Sequence, residues 1–358
     1  MSRSRCVRCN SLSVTIPAMI VAGIDEAGYG PLLGPLVISA AAFRVPATPD
    51  MLAADSQKSA VQLEAGDIWG ALQAAITARP PVRSGKLIVA DSKAVHALAD
   101  GPALLERTTL AFTHLLGGIS SSGANVLPSA TTLQQLLLSL GQPPAPVFQQ
   151  PWYQPDGPLP RFGSGAIGPA ANFLARTLYT ADIAVVALRT RVITEHEFNR
   201  LVAVTNNKAA VLIGATFAHL SHLYNQFAAE NLLVIIDKQG GRDHYLDLLL
   251  ETFPEEQIKV LAESKQSSSY VITGGHRQAT IYFLPKAESA SFATALASMI
   301  CKYLREVLMN DFNHWFQLLI PSLAATAGYY QDGQRWLRDV SGHLPRIGLE
   351  PAQFLRIR

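Results

Sequence analysis

The sequence predicts an α/β domain whose mixed sheet is flanked by helices. Two observations carry that expectation. Apolar, strand-like runs at residues 21–24 and 232–236 each lead straight into an acid, Asp25 and Asp237. Long helix-like stretches at residues 208–229 and 289–309 follow or precede such runs. Carboxylates at two strand ends, with helices beyond, place a site at the strand termini of an α/β sheet.

Taken in order, residues 21–24 and 36–43 read as buried strands joined by a Gly/Pro turn. Residues 87–90 read as a short strand ending at Asp91, and residues 182–188 as another. The stretch 208–229 has Leu212, Phe217, Leu220 and Tyr224 among its apolar positions, as a helix requires. The β-branched run 232–236 and residues 280–284 are further strands. The small residues of 289–309 predict a helix packed tightly on its neighbours. Residues 108–155 hold no Asp, Glu, Lys or Arg, and their prolines and serines read as a loop or insertion, with a short helix at 133–140.

Composition narrows the classes. The chain has 358 residues, of which 49% are apolar and only 16% charged, below the roughly 25% usual for soluble domains. Lys and Arg total 29 against 27 Asp and Glu, for a net charge of +2. That excludes a polybasic tail or an acidic disordered chain, while leaving room for a local basic groove. Mean hydropathy is +0.18, yet the longest nearly apolar stretch, 30–43, is broken by Pro, Gly and Ser and falls short of the ~20 residues of a spanning helix. The chain therefore reads as soluble. Cys6, Cys9 and Cys301 make no disulfide framework, which points to a reducing compartment. Residues 1–18, basic and without an acid, read as a disordered leader or an over-extended start before Met19.

The sharpest motif is Asp25-Glu26-Ala27-Gly28-Tyr29-Gly30-Pro31-Leu32-Leu33-Gly34-Pro35. Adjacent acids closing a buried strand are costly unless paired or bound to metal. Neighbouring strand side chains face opposite ways, so both acids reach one site only if the strand bends or ends there. Gly28 and Gly30 permit that, and let backbone amides approach a ligand closely. The plain alternative is an acidic β-turn.

This motif resembles the signature of the type 2 ribonuclease H family, and three more segments agree in the same order. Asp91-Ser92-Lys93 resembles the family's D-S-K element. Val234-Ile235-Ile236-Asp237 resembles the strand ending in its third acid. Lys286-Ala287-Glu288, Ala297-Ser298, Lys302 and Arg305-Glu306 resemble its long helix, and Gly328-Tyr329 is similar to its C-terminal G-Y. The resemblance implies a ribonuclease H-like sheet over residues 19–358, enlarged by insertions at about 44–85 and 97–180. It implies a Mg²⁺- or Mn²⁺-dependent endonuclease that cuts the RNA strand of RNA–DNA hybrids, leaving 5′-phosphate and 3′-hydroxyl ends.

The resemblance also assigns residues. Asp25, Glu26, Asp237 and Glu306 are the expected catalytic and metal-binding acids, and oxygen ligands suit either ion. Gly28, Tyr29, Gly30 and Tyr329 are expected to read the 2′-hydroxyl that marks RNA. Ser92, Lys93, Lys286 and Lys302 are expected at the substrate, with Lys93 on a phosphate. The bland alternatives are a solvated lysine at 93 and a core aromatic at 329. The expected partner is an RNA–DNA hybrid or ribonucleotide-containing duplex, bound by a cytoplasmic monomer without a membrane.

This chain has Tyr29 where the family has Arg or Lys, and Glu306 where it has Asp. Glu288 and Asp243 are the acids near enough in sequence to replace Glu306. The competing reading is a catalytically impaired relative that binds hybrid or structured nucleic acid; another is a metal nuclease for a different substrate. Three weaker signals are set aside. The G-x-G-x-x-G at 163–168 follows no strand, so it is no dinucleotide fingerprint. His219 and His222 lack an acidic partner and read as core or surface histidines. Trp152, Tyr153, Arg161 and Phe162 read as a small satellite core rather than a base-stacking surface.

Overall fold

The computed structural model describes residues 18–47, 68–80, 85–117, 119–120, 123–124, 130–163 and 166–357. The expected leader, apart from Ala18, and most of the 44–85 insertion lie outside them. Seven strands form one mixed sheet: β1 (Ala18–Ala27), β2 (Leu36–Pro46), β7 (Ala184–Ile193), β8 (Leu232–Asp237), β9 (Gln257–Glu263), β10 (Ser268–Gly274) and β11 (Arg277–Leu284), in the order β7-β2-β1-β8-β11-β10-β9. Two-residue strands β3 (Ile76–Thr77) with β4 (Leu87–Ile88), and β5 (Ile119–Ser120) with β6 (Gly123–Ala124), pair apart from it. The mixed, helix-flanked class is the expected one. The strand expected at 87–90 is shorter and lies outside the main sheet.

β1 is antiparallel to β2 and parallel to β8. The parallel register pairs Ile24 with Ile236, and that is its last pair. Asp25 and Asp237 are therefore each one residue beyond the same rung. β1 continues against β2 as far as Ala27, so its free side faces β8 where the pairing has stopped.

The helices among the described residues include α1 (Ser92–His96), α2 (Gly101–Thr113), α3 (Leu133–Ser139), α4 (Ile167–Thr180), α5 (Glu195–Thr205), α6 (Lys208–Phe227), α7 (Leu246–Thr252), α8 (Phe292–Leu319), α9 (Tyr330–Ser341) and α10 (Leu344–Ile347). Strand alternation splits the core between the two faces. Val21, Val37, Ala41 and Phe43 pack with α2, α4 and α8, while Ile20, Ala22, Ile24 and Ile38 pack with α5, α6 and α7. No single helix among the described residues is long and apolar enough to cross a membrane.

α8 starts later and ends later than residues 289–309 suggested. A 3-10 turn, Ala287–Ser289, precedes it, and the Ser291 hydroxyl caps it by accepting from Thr294 N at 3.1 Å. It runs on to Leu319, just before Pro321, because nothing earlier breaks it. Its small residues Ala293, Thr294, Ala297, Ser298 and Cys301 are fully or nearly buried and let it lie on β1. An ideal Cβ on Gly23 would stand 2.1 Å from Thr294 N. Thr294 also donates its hydroxyl to Ile235 O at 2.9 Å, tying α8 across β8.

The described part of the uncharged 108–155 stretch is packed structure: residues 108–113 finish α2, the expected short helix stands as α3, and Leu136, Val147 and Trp152 are buried in the main core. Trp152 meets Phe312, Trp315 and Phe316 edge-on or tilted, so the Trp152 group belongs to the main core and is no satellite. A segment lacks charge when it has little water to face. Its return is held by Glu106, whose carboxylate accepts from Phe162 N, Gly163 N and Tyr303 Oη at 2.8–2.9 Å.

The hairpin β9–β10 was not foreseen. Gly275 and His276, between the paired Gly274 and Arg277, form the next turn into β11, and Gly275 at φ 60° supplies the positive φ such a two-residue turn needs.

Gly23→Ala is expected to destabilise the fold by about 3 kcal/mol, because the new methyl meets helix backbone rather than a movable side chain. Chemical denaturation compared with the parent checks it. Stability unchanged within error would mean α8 does not contact β1 there.

Candidate active site

The acids at the ends of β1 and β8 open into a pocket of about 220 Å³. Asp25, Glu26, Asp91, Asp237 and Glu288 line it, together with Gly28, Tyr29, Gly30, Ser92, Lys93, Ser298, Lys302 and Tyr329. Asp25 is nearly buried; its Oδ1 accepts from Glu26 N at 2.7 Å, and its carbonyl accepts from the Cys301 thiol at 3.2 Å. Asp237 Oδ1 accepts from Ala287 N at 3.0 Å. Glu288 enters from the 3-10 turn before α8.

Asp91 caps α1, its Oδ1 accepting from Lys93 N at 2.8 Å and from Ala94 N at 3.4 Å. This fixes the start of α1, so that Ser92 lies buried against Ser298, with 2.9 Å between the hydroxyls. Lys93 is exposed at the rim of the pocket.

These carboxyls disturb one another. Burial pushes Asp25 well above its ordinary range, and the charge on Glu26 pushes it further. Glu26 is pushed up to about 7 by burial and then by Asp237, with Lys93 opposing. Burial also raises Asp237, against the Ala287 N–H, and raises Glu288, with Asp237 adding to it. Glu26 Oε2 is buried and has no hydrogen-bond partner. Like charges held in a dry pocket are stable only when protonated or shared by a cation.

Glu306 behaves differently. Its Oε1 accepts from Lys302 Nζ at 2.6 Å and its Oε2 lies 3.3 Å from His96 Nε2. Burial works upward on it, but Lys302 and His96 outweigh that and hold its carboxyl below the ordinary range. It is already neutralised and does not line the acid pocket, whereas Glu288 does. Asp243 is bound to Lys238 at 2.7 Å in a neighbouring groove. Of the two possible replacements for Glu306, Glu288 is the one brought to the acids.

As the side chains stand, no three His, Cys, Asp or Glu groups among the described residues form a ready metal cage. The donors nevertheless fit a hard divalent cation. They are all oxygens, they repel one another, and one buried oxygen lacks a partner, which such an ion would satisfy.

The glycine turn between β1 and β2 is held from behind by two arginines. Arg305 donates to Pro35 O at 2.9 Å, Leu33 O at 3.2 Å and Ala327 O at 3.0 Å. Arg356 donates to the carbonyls of Gly28, Gly34 and Tyr29 and lies over the Phe198 ring. Gly28, at φ +90°, is required, since a Cβ would meet Pro35 O at 2.5 Å. Gly30 has no such neighbour within 4 Å, so the bend rests on Gly28.

Tyr29 packs beneath Lys208, whose Nζ is 5.3 Å from the ring centroid. A cation thus stands beside position 29, supplied from the start of α6. Tyr329 is 50% exposed, with Arg305 Cζ 6.0 Å from its ring centroid; it is no core aromatic. Lys302 reaches the pocket while tied to Glu306. Lys286 sits exposed in a left-handed turn at φ 56° and does not line the pocket. Arg356 was missed in the sequence, because a lone basic residue near a chain end carries no pattern.

Among solved structures, the chain is similar to ribonuclease HII of Archaeoglobus fulgidus in a complex with PCNA, at 13% identity and a TM-score of 0.40 over 95% of each chain. It is similar to ribonuclease H2 of Pyrococcus horikoshii OT3, at 14% identity and 0.40 over 94% of this chain and 92% of that one. It is also similar to Bst-RNase HIII in complex with Mn²⁺, at 14% and 0.39 over 96% and 67%. All three are ribonucleases of the HII, H2 or HIII kind. No family model matches the chain, and no curated protein does.

Behind the turn, Glu195 is buried and accepts from Tyr153 Oη at 2.8 Å. Burial pushes its carboxyl up from 4.5 to about 7, with Arg356 and Arg305 opposing. The folded state therefore keeps a proton that the unfolded chain releases above 4.5. The group's contribution is fully present below 4.5 and is lost as pH rises through about 7. Glu195→Gln keeps an acceptor for Tyr153 and cannot ionise. The stability of this variant minus that of the parent is expected to climb across that window by about 3 kcal/mol. Urea titrations at stepped pH measure it; a flat difference would mean that Glu195 does not titrate there.

Proposed function

We propose that the chain is a divalent-metal-dependent endonuclease that hydrolyses the RNA strand of RNA–DNA hybrids, leaving 5′-phosphate and 3′-hydroxyl ends. The observation that carries it is the pair of acids, Asp25 and Asp237, one residue beyond the last rung of two adjacent parallel strands, with Glu26 and Glu288 beside them. The four sequence motifs add the substrate class.

Asp25, Glu26, Asp237 and Glu288 would hold Mg²⁺ or Mn²⁺. Such an ion supplies Lewis-acid neutralisation of the charge developing on a phosphodiester. The chain's own groups do the rest. Lys93, exposed at the pocket rim, offers a point charge to a backbone phosphate. The turn at Gly28 sets backbone beside the acids, and Tyr29 and Tyr329 flank it with aromatic faces where a ribose and its 2′-hydroxyl can be told from deoxyribose. Lys208 over Tyr29 adds a cation beside the turn.

The test is cleavage of an end-labelled hybrid with Mg²⁺ or Mn²⁺. Asp25→Asn and Glu288→Gln are each expected to lower the rate more than about a hundredfold, while Glu306→Gln, acting through Lys302, costs no more than about tenfold. Loss with Glu306→Gln and indifference to Glu288→Gln would reverse the assignment of the fourth acid. Hybrid binding without cleavage, unaltered by Asp25→Asn, would sink the enzyme reading in favour of a binding protein. Equal cleavage of an all-DNA junction would point to a different substrate.

A further inference from the structure

A second cavity, of about 420 Å³, opens between the edge strand β7 and the pair α5–α6, and shares no lining residue with the acid pocket. The α6 sequence makes the room. Ala210, Gly214 and Ala218 recur at every fourth residue and so share one helix face, which they keep low where it fronts the strands. A Cβ on Gly214 would meet nothing within 4 Å.

One end of the cavity is cationic. Arg189, on β7, lays its guanidinium against Gly141, where an ideal Cβ would be 3.1 Å from Nη1, and its buried Nε has no hydrogen-bond partner. Arg191, also on the lining, is neutralised by Glu197 and donates to Val192 O at 2.8 Å. The imidazoles add little charge. His219 is fixed by Ile38 O at 3.2 Å from Nε2, and burial pushes it down to about 4. Burial, then Arg189, hold His222 below the ordinary range. An under-partnered guanidinium beside an apolar recess is stabilised when an anion joins it.

We propose that this cavity binds a small organic anion, a carboxylate or phosphate monoester on a flat apolar body, with its head group on Arg189 and its body against Ala210, Gly214 and Ala218. The nuclease reading is not needed for it. The full chain is titrated with 4-trifluoromethylbenzoate, 4-trifluoromethylphenyl phosphate and the neutral 4-trifluoromethylbenzyl alcohol, followed by fluorine NMR. At least one anion is expected to bind saturably at one site, at least about tenfold tighter than the alcohol; which anion binds better identifies the head group.

Arg189→Gln is expected to erase that margin. Gly214→Leu is expected to fill the cavity and abolish binding of all three without lowering the thermal midpoint, since leucine favours helix over glycine. No saturable anion binding, an alcohol that binds as tightly as the anions, or anion binding unchanged in both variants would each overturn the proposal.

Discussion

Two buried guanidinium groups hold the turn between β1 and β2 by its carbonyl oxygens, and the acid pocket depends on that turn. Arg305 reaches it from α8 and Arg356 from the C-terminal segment. A turn rich in glycine loses much conformational freedom when ordered, and its carbonyls, facing inward, need donors. Five-donor guanidinium forks meet both demands at once. The same contact draws the chain's end to its beginning: Arg356 N donates to Leu32 O at 2.9 Å, and Leu33 bridges Leu355. Glu195, close to both arginines, partly offsets their charge.

With the turn fixed, the contrast between the acids becomes informative. Buried Glu106 is satisfied where it stands by backbone N–H groups and a tyrosine, and half-buried Glu306 by Lys302 and His96. Asp25, Glu26, Asp237 and Glu288 are all raised by burial, Asp25, Glu26 and Glu288 by a neighbouring carboxylate as well, and one of their oxygens is orphaned. Such frustration is maintained where a ligand relieves it. It separates Glu288 from Glu306 more sharply than the motif resemblance does, because the two differ in partners rather than in residue type.

What the sequence made legible follows the reach of each signal. The strands at Asp25 and Asp237 were readable because apolar runs that stop at a carboxylate are local patterns. Helices α6 and α8 were readable from composition, though the ends of α8 depended on Ser291 and Pro321, which compete with the periodicity of the run. The register that levels Asp25 with Asp237 is a pairing between distant segments, and no local pattern encodes it. The same holds for Arg356, whose role exists only once the C-terminal segment docks. The uncharged stretch shows its short helix in the sequence, but low charge with proline marks a loop in water and also chain buried beside Trp152, and composition alone does not tell the two apart.

That ambiguity bears on the low charge of the whole chain. Many of its charged groups are spent inside: Arg305, Arg356, Glu106, Glu195, Arg161 and Asp311 are buried or nearly so. Arg305, Glu106 and the Arg161–Asp311 pair are answered by backbone or a partner side chain, so the interior is polar at chosen points and apolar elsewhere. Against that background, two places suit a ligand of opposite charge. The acid pocket suits a cation, and Arg189 suits an anion. Charge scarcity makes both exceptions easier to see, since a sparse set of ionised groups leaves few incidental pairs to hide them.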